Sequence, residues 1–336
     1  MKGILLMNLG SPGSTAVKDL RAYLDEFLMD KRVIDKPWLL RALLVKGIIV
    51  PFRAPKSAEA YKTVWTDEGS PLIVITRQLQ DALQKKINKP VAIAMRYGNP
   101  SPEEGFDELL RKDASITEVI AVPLYPHYAM SSYETAVEYA KEIYREKKYS
   151  FKLTFVPPFY DDAAYLHALA ENIRPFLDAS WDHILFSYHG VPARHLIKSD
   201  ITGNHCLQSP DCCEVASPAH EYCYRHQAIF TTKRVTEILN IPETKYSISF
   251  QSRLGKGWLT PFTDVRLQQM PSEGIKKLII ICPAFVSDCL ETLEEIAIRG
   301  EESFMQAGGE SYRMIPCLNS NELWVEALAQ LVSCQL

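Results

Sequence analysis

Short apolar runs alternate with helical periodicity along almost the whole chain, and that rhythm restricts the fold more than any other feature. Runs fit for strands occupy 3–9, 91–95, 118–124, 152–157, 183–188, 246–250, 277–283 and 312–316. Between them, 16–29, 75–87, 132–147, 163–177, 225–239 and 322–332 repeat apolar residues every three or four positions, the period of a helix with one buried face. A strand that is apolar on both faces has to be covered on both, and parallel neighbours need long crossovers, usually helical. The spacing therefore predicts an α/β chain with four parallel strands in each half. A length of 336 residues fits two domains, at roughly 150 residues each.

The halves also resemble each other. Asn8-Leu9-Gly10-Ser11-Pro12 closes the first strand much as Tyr188-His189-Gly190-Val191-Pro192 closes the fifth. The second strand of each half runs into an arginine, Arg96 and Arg253. Val122-Pro123 and Cys282-Pro283 are followed by a loop and then by Glu134-Thr135 and Glu291-Thr292. This order predicts two similar Rossmann-like domains, each a four-stranded parallel sheet flanked by helices, over 1–175 and 176–318, with a last helix at 319–334 packing back on the first half. Ligands of such sheets bind beyond the carboxyl ends of the strands. Asn8, Arg96, Tyr125, His127, His189, Arg253 and the stretch 288–295 lie there, and two facing halves would enclose them in one cleft.

Several function classes drop out. With 37 basic against 41 acidic residues the net charge is −4, which offers a polyanion no general attraction and predicts no nucleic-acid partner. The richest apolar segment, 38–52, is broken by Arg41 and Lys46, and 278–286 is short; a membrane span needs roughly 20 apolar residues. The first ten residues lack the cleavage site of a secretory signal and read as a buried strand, which predicts a cytoplasmic chain. No Gly-x-Gly-x-x-Gly follows a strand, and Gly255-Lys256-Gly257 lacks the rest of a P-loop, so no nucleotide cofactor is expected. A Gly-x-Ser-x-Gly nucleophile turn is missing too.

What remains is an imidazole and a row of carboxylates. His189 ends an apolar strand, and Gly190 and Pro192 turn the chain so that the ring stays at the rim, where imidazole can exchange protons near neutral pH. Asp288, Glu291 and Glu295, at i, i+3 and i+7, would share one helix face with Glu294 beside them. Acids are common at helix N-termini for electrostatic reasons, yet a carboxylate face beside the apolar run 278–281 also suits a cation path or a proton relay. Tyr125, Tyr128, Trp258 and Phe285, with the basic pair Arg53 and Lys56, fit a large flat apolar ligand with acidic ends.

These residues resemble the ferrochelatase family over nearly the whole chain. The blocks are Asn8 to Pro12, Arg53-Ala-Pro-Lys56 through Tyr61, Gly69 to Leu72, Met95-Arg-Tyr97, Leu124 to Tyr128, Ser187-Tyr-His-Gly190, Phe250-Gln-Ser-Arg253 with Trp258, and Cys282 to Leu293. The resemblance implies chelatase-type domains and insertion of Fe2+ into a porphyrin, with protoporphyrin IX as substrate. By position, His189 matches the family's catalytic histidine and Glu291 its essential acid, the two that would meet the substrate iron, with Asp288 and Glu295 continuing the acidic row. Arg53, Lys56 and Ser70 match positions at the propionates or the pocket lip. Leu9, Tyr125, Trp258 and Phe285 match pocket walls, and Arg96 matches an arginine on the metal side. His127 stands where glutamine is frequent, and Cys289 where some relatives carry histidine. Other readings are a chelatase for coproporphyrin III or for cobalt, and a non-catalytic tetrapyrrole or haem carrier. The carrier would have no use for the acid row.

The insertion 203–226 holds Cys206, Cys212, Cys213 and Cys223 in a Cys-x5-Cys-Cys-x9-Cys array, with His205 and His220 nearby. No Cys-x2-Cys is present, so the spacing is not that of a zinc ribbon. Resemblance to bacterial ferrochelatases with cysteine-rich insertions implies a [2Fe–2S] cluster on these four thiolates; Cys and His zinc, or no metal, are the other readings. The segment 38–52 reads as a lid helix or as a face that touches a membrane surface.

Overall fold

The computed structural model describes residues 1–177, 180–253 and 255–334. Eight strands form where the apolar runs lie: Lys2–Gly10 (β1), Val91–Tyr97 (β2), Glu118–Pro123 (β3), Lys152–Phe155 (β4), His183–His189 (β5), Tyr246–Gln251 (β6), Lys277–Ile281 (β7) and Ser311–Met314 (β8). They make two four-stranded sheets ordered β2-β1-β3-β4 and β6-β5-β7-β8. Every pairing is parallel, as the two-faced burial of the strands requires.

The chain gathers into two compact units, one of Met1–Leu124, Met130–Pro157 and the stretch from Leu328, the other of Tyr125–Ala129 and Pro158–Ala327. In the first, Ile4, Leu5, Leu6 and Met7 of β1 are wholly buried between helices, each contributing about 1.5–3 kcal/mol by leaving water. The helix Pro102–Lys112 shows how local signals place a cover on the sheet. Pro102 occupies its first turn, Ser101 Oγ accepts the Glu104 N–H, and the Glu104 carboxylate accepts the Ser101 N–H at 2.6 Å. Gly105 then lets the helix press on the strands, because a Cβ there would stand 2.6 Å from Leu5 and 2.8 Å from the Ile93 carbonyl.

In the second unit, β5 and β7 are aligned at their start by Asp182, whose carboxylate accepts the N–H groups of Lys276 and Lys277, both at 2.8 Å. Leu185, Leu278, Ile280, Ile296 and Phe304 share one buried cluster. The two central strands end alike. Gly10 has φ +105° and a Cβ on it would lie 1.8 Å from the Tyr97 carbonyl of β2; a Cβ on Gly190 would lie 2.7 Å from the Gln251 carbonyl of β6. Only a residue without a side chain lets the chain leave the sheet so close to its neighbour.

The segment 38–52 forms the helix Trp38–Leu44, a π-turn Val45–Ile49 and the start of the helix Val50–Val64. Val45 and Val50 face inward, while Trp38, Leu39, Leu40, Leu43, Ile48 and Phe52 are each more than half exposed. Among the described residues no helix is long and apolar enough to cross a membrane.

Candidate active site

His189 is the last residue of β5, in register with Gln251 of β6. Its Nδ1 lies 2.7 Å from the Gly190 carbonyl oxygen. A carbonyl only accepts, so Nδ1 carries the proton and Nε2 is left as the basic nitrogen of the neutral ring. Two groups fix this arrangement. The Gly190 N–H donates to the Gln251 carbonyl at 2.8 Å, and the Tyr224 hydroxyl donates to the His189 carbonyl at 2.9 Å. The Phe285 ring stands edge-on to the imidazole, 6.1 Å between centroids. Trp258 pairs with Pro192 as a backbone bridge and packs its ring against Gly190. His189, Trp258 and Phe285, far apart in sequence, therefore meet at one strand end. Tyr125 is buried in the same unit.

The acidic row differs from a single helix face. Glu291–Ile298 is wound as a π-helix, and Asp288 lies in the turn before it. A set of hydrogen bonds anchors Asp288 ahead of this helix. The Asp288 carboxylate accepts from Thr292 Oγ1 at 2.9 Å, from Asn319 Nδ2 at 2.7 Å and from the Cys317 N–H at 3.3 Å, while its own N–H donates to Asn319 Oδ1 at 2.8 Å. Glu295 accepts from Ser252 N–H at 3.1 Å and Ser252 Oγ at 2.6 Å. Glu294 pairs with Arg299 at 2.8 Å. Glu291 is half-buried, and the Cys289 thiol beside it is pushed well up, first by burial and then by the Glu291 charge, to which it donates a hydrogen bond. The Ser252 and Asn319 partners carry no signal in the sequence.

In the first unit, Leu9 precedes Gly10 at the end of β1, its N–H held by Asn8 Oδ1 at 2.9 Å. Arg53 is half-buried and Lys56 exposed on the helix Val50–Val64, and Ser70 is buried at the start of the helix Pro71–Ile87. Arg96 is committed to its own unit: it meets Asp30 at 2.6 Å and Thr135 at 2.7 Å, and its guanidinium lies 4.2 and 4.5 Å from the rings of Tyr97 and Tyr139. Burial raises the Asp30 carboxyl most, but hydrogen bonds from Thr135 and the Arg32 amide, with the Arg96 charge, hold it below its usual value.

His127 is fully enclosed, with Nε2 3.0 Å from Thr231 Oγ1. Thr231 gives its own proton to the Tyr160 carbonyl at 2.9 Å, so Nε2 is the donor. Burial drops the imidazole pKa to about 3.

The cysteine insertion is built of turns and one short 3-10 helix, Pro218–Tyr222. Cys206, Cys212, Cys213 and Cys223 are all buried and none forms a disulfide. The Asp200 carboxylate accepts the N–H groups of His205 and Cys206, each at 2.8 Å. Imidazole nitrogens of His205 and His220 lie 2.7 and 3.0 Å from the Cys212 carbonyl, and His226 Nδ1 lies 2.8 Å from that of Cys213. Hydrogen bonds from Cys213 first, and also from Cys206, lower the Cys223 thiol against the effect of burial, aided by the His226 and Arg225 amides. Among the described residues no three His, Cys, Asp or Glu side chains close on one point as a metal site. Four buried sulfurs share this loop, and three of them exchange hydrogen bonds.

The sheets and their helices are those of the chelatases. The sirohydrochlorin chelatase SirB from Bacillus subtilis, solved with Fe3+, superposes with a TM-score of 0.53 at 12% identity, over 99% of this chain and 94% of that one. CbiX, described as the terminal enzyme of sirohaem biosynthesis in denitrifying bacteria, gives 0.50 at 11% identity over 100% and 99%. Sequence narrows the class. The ferrochelatase family model matches residues 1–336. Ferrochelatases of Pseudomonas fluorescens (strain Pf0-1) and Stutzerimonas stutzeri (strain A1501) are each 48% identical, over 98% and 99% of this chain and 96% and 97% of theirs. That of Opitutus terrae is 47% identical over 98% of this chain and 96% of its own. The chain belongs to the ferrochelatase family, enzymes of haem synthesis that insert iron into a porphyrin.

Proposed function

We propose that His189 is the general base for pyrrole deprotonation and that Glu291 passes the protons on or hands over the iron, with protoporphyrin IX as the macrocycle. A free-base porphyrin holds two N–H protons at its centre; Fe2+ enters as both leave, so charge at the core is balanced. The observation that supports His189 is its Nδ1 bond to the Gly190 carbonyl, which keeps the lone pair on Nε2. Glu291 has its carboxylate next to Cys289 and no cation of its own among the ion pairs of the described residues, unlike Glu294. Trp258, Phe285, Tyr125 and Leu9 are the apolar walls. Walls that hold a bent macrocycle better than a flat one lower the barrier to insertion. Arg53, Lys56 and Ser70 meet the propionates. Arg96, Asp288 and Glu295 act on the metal side through the bonds that hold them.

In this reading the enzyme works in the cytoplasm, and the exposed apolar face from Trp38 to Phe52 rests on a membrane surface, where a hydrophobic porphyrin would arrive. Cys206, Cys212, Cys213 and Cys223 hold a [2Fe–2S] cluster. Such a cluster would cross-link a loop of turns and carry one electron.

The deciding experiment pairs His189→Ala with the parent enzyme. The variant should bind porphyrin, seen by its absorption shift, and fail to insert iron; near-normal turnover would remove His189 from the chemistry. Faster turnover of coproporphyrin III than of protoporphyrin IX would reassign the substrate. Iron and acid-labile sulfide should accompany anaerobically purified protein, and a colourless zinc protein would sink the cluster.

A further inference from the structure

One peptide group stands between the proposed base and the acidic row. The Gln251–Ser252 peptide lies at the end of β6, and its carbonyl accepts the Gly190 N–H at 2.8 Å, on the turn that carries His189. Its N–H, that of Ser252, donates to Glu295 Oε1 at 3.1 Å. The Ser252 hydroxyl donates to the other oxygen, Oε2, at 2.6 Å. One residue therefore occupies both oxygens of Glu295, while Arg299 turns to Glu294 at 2.8 Å. The backbone bends to allow this. Ser252 has φ +61°, in the left-handed region that a side chain makes costly and that persists where the surroundings enforce it. Gln251 is 2% exposed, and its side-chain oxygen accepts Ser187 Oγ at 2.6 Å, which fixes the near side of the same peptide.

We propose that Glu295, through the Gln251–Ser252 peptide, positions the His189 imidazole, so that its part in the reaction is played on the base and not by contact with the iron. This rests on the reading of His189 as the base. Hydrogen bonds in series polarise one another. A carboxylate on the Ser252 N–H shifts electron density onto the Gln251 carbonyl, which then holds the Gly190 N–H more firmly. The Gly190 carbonyl in turn takes the His189 Nδ1 proton at 2.7 Å, so a displaced Gly190 would displace the ring. A carboxylate with both oxygens taken has to release Ser252 before it can bind a cation; as a positioning group it need not move.

The test is steady-state iron insertion by the full-length protein, with Fe2+ and porphyrin varied separately, for the parent, Ser252→Ala, Glu295→Gln, the double variant and His189→Ala. Glutamine keeps one acceptor and turns a donor on the other Ser252 group, so Glu295→Gln should lower kcat about tenfold with KM for Fe2+ within about twofold; a misplacement of about 1 Å can cost up to about 10²-fold. Ser252→Ala, which loses the hydroxyl and keeps the N–H, should lower kcat about threefold with the same constancy of KM. The double variant should be no slower than Glu295→Gln, because both changes break one contact. If Glu295→Gln fails to fold, the kcat and KM of Ser252→Ala decide by the same split. A raised KM for Fe2+ at unchanged kcat would assign Glu295 to the metal and overturn the proposal, as would losses that multiply in the double variant. An impaired His189→Ala beside Ser252 and Glu295 variants within about twofold of the parent overturns this inference alone. Near-normal turnover of His189→Ala removes the reading of His189 and this inference together.

Discussion

The Tyr224 hydroxyl donates to the backbone carbonyl of His189 over 2.9 Å, from a ring that is itself buried. Tyr224 follows Cys223 directly and opens the helix Tyr224–Leu239, so this one bond ties the end of the cysteine loop to the strand end that carries the proposed base. Tyr224→Phe should lower stability by about 1 kcal/mol and leave the His189 carbonyl without its partner. If the bond positions the imidazole, kcat should drop severalfold while KM for porphyrin holds. Urea unfolding and steady-state kinetics separate the two effects, and an equal change in KM would argue against positioning.

Replacing the imidazole itself has a larger expected effect. A general base contributes roughly 10²–10⁴-fold to a rate, so His189→Ala and His189→Gln should both lose at least about two orders of magnitude in iron insertion. Porphyrin titration by fluorescence quenching should be unchanged, because Trp258 and Phe285 are untouched.

Asp30 and Arg96 form an ion pair whose side chains are 4% and 14% exposed. Breaking such a pair by removing one charge typically costs about 3–5 kcal/mol, since the remaining charge stays buried. Asp30→Asn should therefore lower the unfolding midpoint in urea sharply. The Asp30 carboxyl is held below its usual value, so its contribution is present above the unfolded pKa and is lost as pH falls through the folded one. A variant as stable as the parent at neutral pH would show that the pair carries no net stability.

His127 gives a second acid effect with a defined window. Its pKa lies at about 3 in the fold against 6.5 when unperturbed. The folded value is depressed, so the unfolded chain binds a proton that the native one refuses, and stability falls as pH drops from 6.5 towards 3. The slope for one such group approaches about 1.4 kcal/mol per pH unit. His127→Gln cannot take up the proton, and its stability should fall less steeply with pH by about that amount. Parallel curves for the two proteins would mean that His127 titrates normally.

Much of the fold was legible because parallel strands buried on both faces leave continuous apolar runs, and all eight runs became strands. The helices beyond 38 were harder. Pro55 lies inside Val50–Val64, where a proline normally argues against a helix, and the π-turn Val45–Ile49 breaks the three-and-four rhythm. At the site, residues that carry chemistry could be read from short motifs, whereas those that hold them could not. Asp30 is 66 residues from Arg96, Tyr224 35 from His189, and Ser252 43 from Glu295. Such partners are set by packing, which leaves no local pattern. The acidic row shows the difference most clearly: three carboxylates at helical spacing look equivalent, yet Asp288 and Glu295 each spend both oxygens on neutral donors.

The strands β4 and β8 are each four residues long and pair on one side only. An open sheet edge invites a strand from another molecule, and shortness and charge are among the means that discourage it. Lys152 heads β4 and is exposed, so a chain that docked there would gain few main-chain bonds and would meet a cation at once, and the equally short β8 offers as few bonds. Both sheets can therefore remain open at these margins without offering a template for edge-to-edge aggregation, even when many copies of the enzyme crowd together.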